Sequence, residues 1–203
     1  MVPALVVGLV ALAAVAGFLL WKRRLAAPRQ IAIDPFTLSE PWRRHVAAAQ
    51  SAQRRYREIA HDTPEGPLRS RLGEIATQVQ HAVEECWGIA RRGDELDEAL
   101  ARFDTAALTA RLQAATDDAT RTSLQSQLAS AQRIRGTRDD TNRRLQLLTT
   151  RMGELVAQAA EVSVGTDTTD ELGTGVDDVV TQLESLRLAL NDVNNTGRPA
   201  SSP

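Results

Sequence analysis

The residues best suited to chemistry in this chain are three histidines, His45, His61 and His81, and one cysteine, Cys86. His81 and Glu85 stand four apart, with Glu84 and Cys86 beside them. On a helix such a pair shares one face, which a transition metal can use. A di-iron bundle, however, wants two Glu-x-x-His pairs and two further carboxylates, and the chain has only one Glu-x-x-His, Glu58 to His61. The expected role of the His81/Glu85 face is therefore a solvated flank beside an apolar seam. Cys86 falls on that seam and reads as a small buried hydrophobe rather than a nucleophile, with Trp87 covering the seam from a flanking position. The acidic pairs Glu84-Glu85, Asp117-Asp118, Asp139-Asp140 and Asp177-Asp178 are adjacent in sequence. Helical neighbours point about 100° apart, so these pairs are caps and solvated faces, not acid–base dyads facing one bond.

Other chemistry is missing from the sequence. There is no GxxxxGK[ST], GxGxxG after a strand, GxSxG or HExxH. Basic pairs such as Arg91-Arg92 and Arg143-Arg144 are interrupted by acids and have no aromatic platform, which argues against nucleic acid. Only 3% of residues are aromatic, too few for a pocket that grips a flat ligand. One cysteine excludes an internal disulfide. The expectation is no catalytic, metal or cofactor-binding residue, no cofactor, and no enzyme.

The elements that position these residues are helical. Residues 2–21 contain no ionisable side chain, and twenty residues at ~1.5 Å rise match a ~30 Å hydrocarbon core. Trp21 suits the headgroup level, and Lys22, Arg23 and Arg24 follow at once. By the positive-inside rule these cations hold everything after them in the cytoplasm, with the N-terminus outside. A cleavable signal would need its basic cluster on the other side. Residues 1–24 thus read as a transmembrane anchor with a basic stop, and 25–38 as a juxtamembrane linker holding Pro28 and Pro35.

Residues 39–193 read as a helical bundle or coiled coil. Thr37 with Glu40, or Ser39, caps a first helix bearing Trp42, Val46, Ala49, Tyr56 and Ala60. A breaker-rich turn at 61–67 reverses the chain. Leu68, Leu72, Ile75, Val79, Ala82, Cys86 and Ile89 then step by four and three, an a/d seam. Gly93 is expected to end this helix, and the acidic run 94–98 to open another. Asp104 or Thr105 caps a short piece, and 116–118 either marks a break or lies within one continuous helix. A long segment to about residue 163 follows, whose stripes (Leu124, Leu128, Ala131, then Thr141, Leu145, Leu148, Met152, Leu155, Ala159, Val162) lose register through 134–140. That is a stutter, or a change of packing partner. After a loop at 164–170, Leu172, Val176, Val179, Leu183, Leu186, Leu190 and Val193 form the last seam. Residues 194–203 have tail composition. The predicted fold is all-α: an N-terminal transmembrane helix, then an elongated antiparallel helical bundle.

Charge is uneven although the chain totals −2. Residues 22–60 carry nine Lys/Arg and three Asp/Glu, a net of +6, while 161–192 carry eight Asp/Glu and one Arg, a net of −7. Lys22, Arg23, Arg24 and Arg29 serve topology and can touch anionic lipid. Arg43, Arg44, Arg54, Arg55 and Arg57 are expected to complement the acidic last helix, inside the bundle or between copies. The Ala/Arg-rich helices, the anchor with its Lys22-Arg23-Arg24 stop and the stretch EECWGIARRGDELDEAL (84–100) together resemble uncharacterised actinobacterial single-pass membrane proteins. That resemblance implies no activity. The sequence therefore points to a membrane-anchored cytoplasmic scaffold or protein-interaction module, pairing with a partner or itself through its helical seams. The alternative is a regulatory or sensory subunit of a membrane complex that relays a signal through its helices.

Overall fold

A computed structural model describes residues 33–165 and 169–196, side chains of 193–196 excepted. The apolar segment, its basic flank and the end of the tail lie outside the described residues. Among the described residues every regular element is helical. A 3-10 turn, Pro35–Thr37, precedes α1 (Trp42–Asp62), α2 (Pro67–Ala101), α3 (Thr105–Ala114), α4 (Asp118–Ser163) and α5 (Thr169–Thr196). None of these helices is long and apolar enough to cross a membrane.

Helices α1, α2, α4 and α5 form a four-helix bundle. α2 and α4 touch across its middle, whereas α1 and α5 each pack on both of them and not on each other. They occupy opposite corners. α1 runs antiparallel to α2, with Trp42 against Gly93 and Arg57 bonded to Gln80. α5 runs parallel to α2, as the ties Gln78–Asp177 and Glu85–Arg187 require.

The seams read from the sequence form the core. All the described α5 seam positions are buried, as are the α2 positions from Leu72 to Ile89 and the second α4 stripe. The change of register at 134–140 marks a change of partner. Leu124 and Ala131 are buried outside the main core, where α3 packs on the first half of α4 and supplies Leu108. The second stripe enters the bundle core. At ~1.5 Å per residue, the 46 residues of α4 extend ~69 Å, so its first turns run past the end of α2.

Three local expectations are corrected. First, α2 continues through Gly93 to Ala101. Glycine is needed there for close approach, since a Cβ would stand 2.4 Å from the Trp42 ring. Second, neither Thr37 nor Ser39 caps α1. Pro41 holds that position without a side-chain bond, because Thr37 lies in the 3-10 turn and Ser39 bonds Asp94 of α2. Third, the α1 arginines do not meet the acidic helix within the bundle. Arg43 and Arg44 pair with Glu40, and α5 lies at the far corner. The breaks elsewhere follow expectation: Asp104 accepts from the Ala107 amide and Asp117 from the Thr120 amide, each opening a helix. Gly165, at φ +81°, takes the left-handed conformation that closes α4.

Candidate functional site at the entry to the bundle

The densest polar network among the described residues lies where the chain enters the bundle. Asp34 caps the 3-10 turn by accepting from the Phe36 amide at 3.0 Å, and Gln50 of α1 donates to the Ile33 carbonyl at 3.1 Å. Leu38 is buried. Ser39 donates from both its amide (3.1 Å) and its hydroxyl to one oxygen of Asp94. The entry segment is thereby fastened to α1 and α2 before the first long helix begins.

Trp42 completes the attachment. Its ring is fully buried on Gly93, and its Nε1 donates to Asp97 Oδ2 at 2.6 Å. Arg138 of α4 grips the same carboxylate, with Nε on Oδ1 at 2.8 Å and Nη2 on Oδ2 at 3.3 Å. The guanidinium also lies 5.6 Å from the Trp42 ring centroid, in cation–π range, and reaches Asp139 at 3.1 Å. The hydrogen bond to Asp97, followed by that to Asp139, raises the Arg138 pKa further. One turn along, buried His45 shares a 2.8 Å hydrogen bond with Asn142 of α4. Asp97 thus serves three helices, and its loss would leave the indole N–H without its acceptor and Arg138 with Asp139 alone, at ~1–3 kcal/mol.

The face singled out by sequence lies elsewhere. His81 Nε2 stands 3.8 Å from Glu85 Oε1. Glu85 is not solvated as expected, because its side chain is only 13% exposed and its other oxygen meets Arg187 Nε of α5 at 2.6 Å. Glu84 accepts from Gln80. Cys86 is buried, and burial pushes its thiol from an ordinary 9 up to about 12. Among the described residues no group of three or more His, Cys, Asp or Glu is placed to hold a metal. This face ties α5 to α2. The acidic pairs are shared out likewise: Asp140 meets Arg143 and Arg144, and Asp178 meets Arg151.

The sequence reading missed Asp97, Arg138 and Gly93 as a unit. They lie 41 or more residues from at least one partner, so no local spacing joins them. The one signal in the sequence is a glycine at a seam position of an otherwise sound heptad pattern, where helix propensity alone predicts a stop. Chemically the donors and acceptors of the network are spent on one another. It is built to hold three helices and the entry segment in one arrangement.

Compared with known families, residues 3–133 match the model of SLATT_2, described as the SMODS and SLOG-associating 2TM effector domain 2. The match takes in the apolar segment, α1, α2, α3 and the first part of α4, and stops before the part of α4 that enters the core. Neither a curated protein nor a solved structure matches the chain.

Proposed function

The chain belongs to the SLATT_2 family, and on that premise we propose that it is a membrane-anchored, non-enzymatic effector whose bundle passes a partner's signal to its tether. The anchor is the segment 2–21, oriented N-terminus outside by Lys22, Arg23 and Arg24, with the bundle in the cytoplasm. Its partners are proteins of the SMODS and SLOG kind named in the family description. Lys22, Arg23, Arg24 and Arg29 add contact with anionic lipid.

The observation that supports this reading is the Trp42–Asp97–Arg138 clamp. A relay needs the entry segment and the bundle to move together, because compliant joints dissipate displacement while packed cores do not. Here residues 33–42 are bonded to α1 and α2 and, through Asp97, to α4. The term effector in the family description favours this relay over the passive scaffold. The test is induction of the full-length chain with a SMODS- or SLOG-bearing partner, following growth and membrane potential. Asp97→Ala should stay in the membrane fraction with its helicity retained and lose the effect at least tenfold. Equal effects of wild type and D97A, or no membrane effect from either, would leave only the scaffold.

A further inference from the structure

The opposite corners of the bundle carry opposite charge at matched heights. The pairs Trp42–Gly93 and Arg57–Gln80 set α1 against α2, which places Arg54 and Arg55 level with residues 81–82 of α2. The pairs Gln78–Asp177 and Glu85–Arg187 set α5 beside α2, which places Glu184 level with residue 84 and Leu188 with residue 88. Glu184 and the Arg54/Arg55 pair therefore differ in height by less than one turn (~5 Å). Among the described residues Arg54 and Glu184 have no hydrogen bond or ion pair, and Arg55 has only a 3.4 Å contact with Ser51. Leu188 is 57% exposed, at the height of Ala47 and Ala48, small exposed residues on the outer face of α1.

From this complementarity we infer that the outer face of α1 docks on the outer face of α5 in a second copy of this chain. Side-by-side copies without axial shift put Arg54 and Arg55 against Glu184, with Asp177 and Asp178 a turn or two further on. Leu188 then enters the shallow surface over Ala47 and Ala48. The two helices run antiparallel within one bundle, so they meet antiparallel between co-aligned copies, an arrangement that also suits their dipoles. Glu58, near the height of Asp177, is outnumbered by Arg54, Arg55 and Arg57. Because the two faces lie on opposite corners, the contact is heterologous and builds a row or ring rather than a closed pair. Copies tethered to one leaflet already share the required alignment, though the contact itself does not depend on the relay.

Sedimentation of the full-length chain in detergent micelles tests this. Wild type should associate with rising concentration and come apart in high salt. R54E/R55E and D177K/E184K should each raise the dissociation constant at least tenfold, with unchanged helicity, and an equimolar mixture of the two variants should associate again. That rescue separates a lost contact from a lost fold. Wild type monomeric throughout, variants associating as wild type does, or a mixture that stays apart would overturn the inference. So would R54E/R55E releasing the chain from anionic vesicles while leaving its mass unchanged, which would assign the α1 face to lipid.

Discussion

At Gly93 the steric demand of one neighbour outweighs helix propensity. An alanine is ordinarily worth ~1 kcal/mol over glycine inside a helix, and at Gly88, exposed with nothing within 4 Å of a built Cβ, Gly88→Ala should gain about that. At Gly93 the same methyl would strike the Trp42 ring, so Gly93→Ala should cost ~1–3 kcal/mol and loosen the hold on Asp97. Urea unfolding of the two variants side by side should give opposite signs. Cys86 offers a second residue-scale reading. Its folded pKa of about 12 lies above its ordinary 9, so the folded state holds the proton more tightly than the unfolded one. Its stabilising contribution is whole below pH 9 and falls as pH rises from 9 towards 12. A maleimide at pH 7.5 should leave Cys86 unmodified until urea opens the bundle; prompt labelling of the folded chain would contradict its burial. Neither Gly93's neighbour nor Asp97's partners could be read from the sequence, because each contact joins residues distant along the chain. Cys86 could, since its burial follows from its place in a local period.

The helices were the most legible level. A strip of Leu, Val and Ile at steps of four and three has one stable use in water, burial against another helix, and most described positions of each such strip are buried. What periodicity lacks is the identity of the neighbour. Charge alone pairs the acidic α5 with the basic α1, inside the bundle or between copies, but within the bundle α5 lies on α2 and α4, tied by Arg187–Glu85 and Arg151–Asp178. Apolar area decided the packing, since a surface ion pair contributes only ~0–1 kcal/mol against ~1.5–3 kcal/mol for each buried Val or Leu. The double variant Val179→Asp with Leu183→Asp, at positions 2% and 0% exposed, should therefore abolish the cooperative thermal transition. Leu147→Asp, 53% exposed on α4, should shift it by only a few degrees. A normal melt for the α5 variant would mean that this helix is not part of the folded core.

For the molecule as a whole, the boundary of the family match and the boundary of the fold do not coincide. Residues 3–133 carry the likeness to the effector domain, yet the four-helix core draws Leu145, Leu148, Met152, Leu155 and Ala159 from α4, and six seam residues from α5, all beyond that boundary. Within 33–133, α1 and α2 can bury their stripes only against each other, and two helices leave much of each stripe in water. Shielding Leu72, Ile75, Val79 and Ala82 takes the second half of α4 and α5. The chain cut after residue 133 should then keep partial helicity but lose a cooperative melt, bind a dye that reports exposed apolar surface, and self-associate. Adding the separate piece 134–203 should reverse all three, because the missing faces are complementary and the connection between α3 and the core half of α4 bears little of the packing. A truncated chain that melts cooperatively as a monomer would show instead that α1, α2 and the α3–α4 hairpin are a sufficient fold, with the second half of α4 and α5 an addition to it.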